Sequence, residues 1–209
     1  MRMRCAVLAC VGVLAAAPSA RAFTATYDQK VTGRGMTMVS KVTLKDNQLR
    51  MESQSDAGSI IIFKNPQGMF SYMPAEGMAM SLSSLEQFQK PLEKLDDYDA
   101  YLKEAHAKYL RSETVNGLAC DVYEFADSSG ETTTAWVWKE RQFPVRAETM
   151  TKDGKVTVEM SNITLGGSVP DSAFQLPPGV QVMDMGAMMK GLKGLPVNAD
   201  DLGDLVPHQ

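Results

Sequence analysis

The sequence predicts an α+β fold that is mostly β: an antiparallel meander of short strands, interrupted once by helices. Apolar and polar residues alternate over short runs, and turn pairs such as Asn-Gly and Asp-Gly separate those runs. A single stretch, residues 83–106, instead has its apolar residues at helical spacing. Only one cysteine, Cys120, follows the first 22 residues. No intramolecular disulfide can therefore staple the predicted domain, and packing must stabilise it.

The first 22 residues have the pattern of a cleavable secretory signal. Arg2 and Arg4 precede an apolar run from Cys5 to Ala17, and small residues then lead to a cleavage position after Ala22. The run is shorter than the roughly 20 apolar residues that a membrane-spanning helix needs. A lipoprotein signal ending at Cys10 is an alternative, but only five apolar residues would precede that cysteine. The protein is therefore expected to work outside the cytoplasm.

Residues 23–185 are expected to form one domain, because this length can bury a sizeable core. Residues 186–209 are rich in Met, Gly and Asp without a sustained period, which predicts a flexible tail. The whole chain has a net charge of −4, and removal of the signal's three arginines makes the remainder more acidic. This charge argues against nucleic acid and against anionic membrane surfaces as partners.

The strands of the first half are predicted from alternation and from turn chemistry. Phe23 to Val31 and Met36 to Leu44 alternate, and the turn pair Asp46-Asn47 follows them. Residues 60–63 are apolar on both faces of a strand, so both faces are expected to be covered. Asn65 to Gly68 predicts a tight turn, with proline presetting φ and glycine free to adopt a positive φ.

The helical stretch carries one apolar stripe. Ser83 to Glu86 is a capping-box sequence, and it predicts a short helix over residues 83–89. Pro91 suits the first turn of a second helix, predicted over residues 91–106. Because the stripe is on one side only, these helices are expected to lie across an apolar surface.

The second half returns to strands. Asn116-Gly117 and Asp153-Gly154 are hairpin signals, and residues 170–174 predict a single helical turn. The sequence contains few residues and motifs that are typical of catalytic sites. The only histidines are His106 and His208, and the sequence has no phosphate-binding loop, zinc motif or nucleophile elbow. Cys120 has no second cysteine for redox work. The sequence therefore predicts a protein that is not an enzyme and needs no cofactor.

Methionine is the unusual residue, with 15 in the chain. Met36 and Met38 are two positions apart in a predicted strand, as are Met78 and Met80, so each pair shares a face. Three interpretations stay open. The methionines fill an ordinary core, or they line a deformable apolar cavity, or their thioethers bind copper(I) as soft ligands. Trp136 and Trp138 also share a face, which indicates either a cavity wall or core packing.

Several segments of the second half resemble the LolA-like superfamily of periplasmic lipoprotein carriers, in particular its branch of outer-membrane lipoprotein-sorting proteins. Glu113 to Tyr123 is similar to that branch's E-x-V-x-G-x-x-C-x-x-Y strand pair. Trp136 to Arg146 resembles its tryptophan strand and the following Phe-Pro turn. Asn162-Ile163 and then Pro170 to Gly179 resemble its closing N-I…P-x-x-x-F-x-L-P-x-G stretch.

The resemblance implies an open antiparallel half-barrel (LolA/LolB-like) over residues 23–185, with helices covering its concave apolar face. It also implies a monomeric periplasmic carrier. Such a carrier shelters the acyl chains of lipoproteins or other lipids, delivers them toward the outer membrane and associates with membranes only transiently. A sensor or scaffold that binds an envelope protein partner is the alternative, since a fold does not fix the cargo. Carriers close their lid with an arginine that the motifs do not place in this sequence.

The predicted binding residues come from the apolar stripe of the helical stretch and from the methionine and tryptophan pairs that share a strand face. The expected lid is formed by Leu85, Phe88, Leu92 and Leu95, and the expected facing wall by Met36, Met38, Met78, Met80, Trp136 and Trp138.

Overall fold

The computed structural model describes residues 23–55, 58–82, 95, 97–126 and 130–184. Within these ranges the chain forms one large sheet and one α-helix, α1, and the predicted mostly-β class is confirmed. The elements in chain order are β1 Thr24–Gly33, β2 Met36–Lys45, β3 Gln48–Ser55, β4 Gly58–Asn65, β5 Gly68–Met73, β6 Met78–Ser81, α1 Tyr98–Glu104, β7 Lys108–Val115, β8 Leu118–Ala126, β9 Thr132–Trp138, β10 Phe143–Thr151, β11 Gly154–Leu165 and β12 Gln181–Asp184.

The sheet consists of two antiparallel meanders joined edge to edge. Its strand order is β12-β6-β5-β4-β3-β2-β1-β11-β10-β9-β8-β7. The pairing of β1 with β11 joins the first meander to the second, and β12 adds to the far edge as a parallel partner of β6. The two outermost strands, β12 and β7, do not pair with each other. The sheet is thus open, as expected for a half-barrel.

The hairpin turns lie where the sequence predicts them. Asn116 and Gly117 both adopt positive φ between β7 and β8, and Gly154 does so between β10 and β11. The Asp46-Asn47 pair connects β2 to β3, with Asp46 at a φ of 50°. Asparagine, aspartate and glycine tolerate this left-handed backbone better than other residues. Because each turn fixes a register, these residues also fix which side chains share a face.

The inner face of the sheet is the face on which α1 packs. Tyr98 and Leu102 of α1 are buried in one cluster with Tyr27, Val42 and Phe125 of the strands. Tyr101, on the same helix, makes an edge-to-face contact with Phe125, with ring centroids 5.5 Å apart. The helix therefore covers an apolar surface, as its one-sided stripe predicts. Among the described residues, no helix has the length and apolar character that crossing a membrane requires.

Helix α1 begins at Tyr98 rather than near residue 91. The Asp97 carboxylate accepts a hydrogen bond from the backbone N–H of Ala100 at 3.0 Å, which caps the first turn. The helix ends before His106, which has a positive φ of 50°. The predicted helix over residues 83–89 lies outside the described residues, as do residues 91–94 of the second predicted helix.

Residues 166–180, which we call the outer strap, cross the outer face of the sheet from β11 to β12. Lys45 Nζ donates to Asp171 Oδ1 at 2.6 Å and to the Val169 carbonyl at 3.1 Å. Asn65 Nδ2 donates to the carbonyl of Phe174 at 2.9 Å. The hydrogen bond from Lys45 lowers the pKa of the Asp171 carboxyl. The predicted helical turn is present here as a 3₁₀ turn, Asp171–Phe174, and the Phe174 side chain is fully buried.

Candidate functional site

A cavity of about 640 Å³ lies between the inner face of the sheet and the segment of α1. Strands β1 to β5 and β8 to β11 contribute to its wall, and Leu82 extends that wall directly after β6. Leu95 and two tyrosines of α1 also line it. Its volume lies within the usual range for small-molecule sites. The aliphatic, thioether and phenylalanine side chains that line it include Val42, Leu49, Met51, Ile62, Met69, Leu82, Leu95, Phe125, Val158 and Met160.

The two sides of the cavity carry side chains of different length. On β9 and β10 the lining residues are short: Thr133, Ala147 and Thr149. On β3 and β4 they are long, with Met51 directly opposite Ile62 in the strand register. The short residues leave space that the long, unbranched methionine does not fill completely. A methionine wall can adapt to guests of different shape, because its thioether chain is flexible and polarizable.

The polar groups in the wall are few and neutral. Thr133 and Thr149 are paired across β9 and β10, and their hydroxyl oxygens are 2.9 Å apart. Gln29 of β1 is the third non-aromatic polar residue among the described residues that line the cavity. None of the described residues that line the cavity carries a charge. An unpaired ion is costly to bury, so this wall is suited to an uncharged guest.

Two tyrosine hydroxyls in the wall are held in their neutral form. Burial raises the pKa of Tyr27 above its usual value. Burial, with a smaller contribution from neighbouring Tyr101, raises the pKa of Tyr98 as well. Both groups therefore remain hydrogen-bond donors at physiological pH. An ordinary phenol is also neutral at that pH, and the raised pKa extends the neutral form into alkaline solution.

The predicted site residues differ in where the structure places them. Leu95 lines the cavity. Leu85, Phe88 and Leu92 lie outside the described residues, so the predicted lid stays a prediction. The four predicted methionines are on the inner face, because strand alternation and register put them on the same face as Val42 and Met69, but they lie beyond the cavity wall. These four are Met36, Met38, Met78 and Met80.

Trp136 and Trp138 are on the outer face, so their assignment to the cavity wall is corrected. Trp136 is buried with Cys120 and Val122, and its indole N–H donates to the Glu113 carboxylate. The Arg146 guanidinium lies 5.0 Å from the Trp136 ring centroid. The spacing of two does place both rings on one face, but spacing alone cannot say which face is the inner one. Their strand neighbours at the alternate positions face inward instead.

Four methionines form a cluster beside the cavity, at the edge of the inner face. Met73 is directly opposite Met78, and Met80 is directly beside Met183 on β12. Adjacent strands lie about 4.8 Å apart, so the four side chains are neighbours. Met183 is 40% exposed. Thioethers are the soft ligands that copper(I) prefers, and the same side chains equally form a deformable apolar surface.

A copper(I) titration against a chromophoric competitor distinguishes the two roles of this cluster. The described residues contain no group of three or more His, Cys, Asp and Glu side chains that could hold a metal ion. The cluster itself consists of thioethers alone, without a histidine or cysteine ligand. We expect no competition by the protein, and none in a Met80→Leu variant. Removal of one equivalent of copper from the competitor by the wild type, lost in Met80→Leu, would identify a metal site instead.

Neither a protein-family model nor a curated protein sequence matches this chain. Solved structures do match it in fold. An uncharacterized conserved protein from Thermus thermophilus is 8% identical with a TM-score of 0.55, over 78% of this chain and 90% of that one. A chain of the Pseudomonas aeruginosa MucA/MucB complex is 10% identical with a TM-score of 0.50. That match covers 77% of this chain and 58% of the other.

A LolA superfamily protein from Nitrosomonas europaea is a further match, at 15% identity and a TM-score of 0.38, over 75% of this chain and 90% of that chain. At these identities the matches concern the fold. The sheet is open and antiparallel apart from its last strand, and a helix packs on its inner face. The fold of this chain is similar to that of the Thermus thermophilus protein and of the matched chain from the MucA/MucB complex.

Proposed function

We propose that this protein is a non-enzymatic carrier that holds acyl chains of lipoproteins or other lipids in the inner cavity, outside the cytoplasm. The observation that carries the proposal is the 640 Å³ cavity, whose described wall is apolar and carries no charge. An acyl chain is the common biological guest that needs such a wall and needs no cofactor. The predicted secretory signal supports periplasmic work, and the carrier is proposed to act as a monomer that delivers cargo toward the outer membrane.

The transfer of an acyl chain from water provides the driving force for uptake. Each methylene group that leaves water contributes about 0.8 kcal/mol, so a chain of about a dozen methylenes contributes roughly 10 kcal/mol before the costs of binding. Those costs include lost translational and rotational freedom and the ordering of the chain. We therefore expect dissociation constants in the micromolar range or below, which suits a carrier that must also release its cargo.

Release is proposed to depend on affinity differences. A carrier outside the cytoplasm has no nucleotide supply, so a downstream acceptor must bind the cargo more tightly. The flexible methionines Met51, Met69 and Met160 help in this respect, because a deformable wall holds a guest without locking it into one geometry.

Displacement of a fluorescent acyl probe tests the proposed function. We expect the protein to bind one probe molecule with a blue-shifted emission, because the fluorophore's acyl chain enters an apolar site. An unlabelled acyl ester is expected to displace the probe, whereas a soluble short-chain ester of the same head group is not. A protein that binds no probe at micromolar concentration would contradict the carrier function.

A protein-binding role is the second candidate. The match at a TM-score of 0.50 is to a chain from a complex of two proteins, MucA and MucB. A sensor or scaffold of this type would use the same fold to bind an envelope protein. Affinity purification from envelope extracts separates the two roles. A carrier is expected to retain several acylated proteins or lipids, and a sensor to retain one defined protein whose binding does not depend on acylation.

A further inference from the structure

Strand β1 places two neutral hydrogen-bonding side chains next to each other in the cavity wall. Tyr27 and Gln29 are two positions apart on this strand, so they share the inner face, and both line the cavity. The register with β2 is regular here and pairs them with Val42 and Ser40. On the other side Gln29 is opposite Met160, which also lines the cavity. The neighbours of these two groups are thus apolar at Val42 and Met160, and Ser40 lies beside Gln29.

Neither group has a hydrogen-bond partner among the described residues, in contrast to the serine and threonine pairs of the inner face. Ser40 and Ser53 are hydrogen-bonded to each other, with their oxygens 2.7 Å apart, and the threonine pair of β9 and β10 is satisfied in the same way. No described residue forms a hydrogen bond with the side-chain amide of Gln29 or with the hydroxyl of Tyr27. A polar group in an apolar wall is costly unless a guest or water satisfies it.

Among the described residues that line the cavity, none offers a cation to these two groups. Strand alternation puts two charged side chains, Lys64 and Asp121, on the inner face, and neither lines the cavity. Lys64 Nζ donates to Asn47 Oδ1 at 2.8 Å. Asp121 pairs with Lys139 at 2.9 Å. An ionised carboxylate near Gln29 would therefore be desolvated without a counter-ion, whereas a neutral carbonyl oxygen would only need the donors that are present.

We infer that Tyr27 and Gln29 form a polar anchor that binds the neutral carbonyl of an ester or amide linkage, so that the cavity selects esterified or amide-linked acyl chains over free fatty acids. The Tyr27 hydroxyl and the Gln29 amide N–H would donate to the carbonyl oxygen. The apolar wall on both sides of β1 would hold the methylene chain. This inference rests on the proposed acyl-binding function and adds a head-group preference to it.

The test compares three competitors of equal chain length in the fluorescent displacement assay at neutral pH: a fatty acid methyl ester, the free fatty acid and the hydrocarbon. We expect the ester to bind best. The affinity for the ester should exceed the affinity for the hydrocarbon by roughly threefold to tenfold, which is the effect of one net hydrogen bond. The affinity for the ester should exceed the affinity for the ionised fatty acid by about tenfold or more, because the carboxylate finds no counter-ion among the described lining residues.

Two conservative variants locate the anchor, and a third is their control. Gln29→Leu and Tyr27→Phe each remove one donor and keep the side-chain volume nearly unchanged. Each variant is expected to weaken binding of the ester by roughly threefold to tenfold and to leave binding of the hydrocarbon unchanged. Met160→Leu alters the neighbouring wall position without removing a donor, and the ester's advantage over the hydrocarbon is expected to persist.

The outcomes separate the anchor from the proposed function. The polar anchor is contradicted if the free fatty acid binds as tightly as its methyl ester. It is also contradicted if both donor-removing variants still bind the ester more tightly than the hydrocarbon by the wild-type factor. In either case the proposed acyl-binding function is unaffected. If none of the three competitors displaces the probe from any form of the protein, the acyl-binding function itself is wrong.

Discussion

Replacement of Met51 by glutamate is expected to abolish acyl binding. Met51 lines the cavity at the centre of β3, between Val42 and Ile62 on the neighbouring strands. An ionised carboxylate there finds no counter-ion among the described lining residues, and burying it under an acyl chain costs several kcal/mol. We expect Met51→Glu to weaken binding of the fluorescent acyl probe by about a hundredfold or more, since about 2.8 kcal/mol corresponds to that factor.

Met51→Leu is the matched control for this substitution. It keeps the apolar character and nearly the volume of the side chain, so probe affinity should change by less than about threefold. Thermal unfolding of both variants checks that the sheet is intact. A folded Met51→Glu protein that binds the probe as tightly as the wild type would show that the acyl chain binds elsewhere.

Truncation of Phe174 is expected to produce the largest loss of stability. Its side chain is fully buried, and it connects the outer strap to the outer face beside β3 and β4. Removal of a buried phenylalanine side chain typically costs about 3–5 kcal/mol, through lost apolar burial and the cavity left behind. The total stability of a domain is typically about 5–15 kcal/mol. We expect Phe174→Ala to lose about 3 kcal/mol or more in urea unfolding.

Gln175→Ala is the control, because Gln175 is the next residue of the outer strap and its side chain is exposed. It should change the free energy of unfolding by less than about 0.5 kcal/mol. A loss below about 1 kcal/mol in Phe174→Ala would mean that the outer strap contributes little to the stability of the sheet.

Most of the strand pattern is predictable because local rules determine it. Period-two alternation and the turn residues at Asp46, Asn116 and Gly154 fix where strands end and which residues alternate. The last strand, β12, is not predictable in this way. It has only four residues, all of them exposed, and it exists because the outer strap brings it alongside β6. Such a pairing depends on contacts far apart in sequence.

The site is less predictable than the fold, because the residues that line the cavity are brought together by pairing between strands that are distant in sequence. Gln29 and Met160 are neighbours only because β1 pairs with β11, and no local sequence pattern indicates that pairing. The same limit explains Trp136, whose outer position follows from the register with Arg146 and Val122. Leu95 is buried in the same cluster as Tyr98 and Leu102 of α1, although it precedes that helix.

The most direct test of acyl binding in the inner cavity is NMR of ¹³C-labelled methionine methyl groups with a nitroxide-labelled acyl ester. Met51, Met69 and Met160 line the cavity, whereas Met150 is 58% exposed and alternates to the outer face of β10. We expect the spin label to broaden the signals of the three lining methionines more strongly than the signal of Met150. Sharp signals from all three, or broadening of Met150 alone, would contradict a carrier that holds its cargo in this cavity.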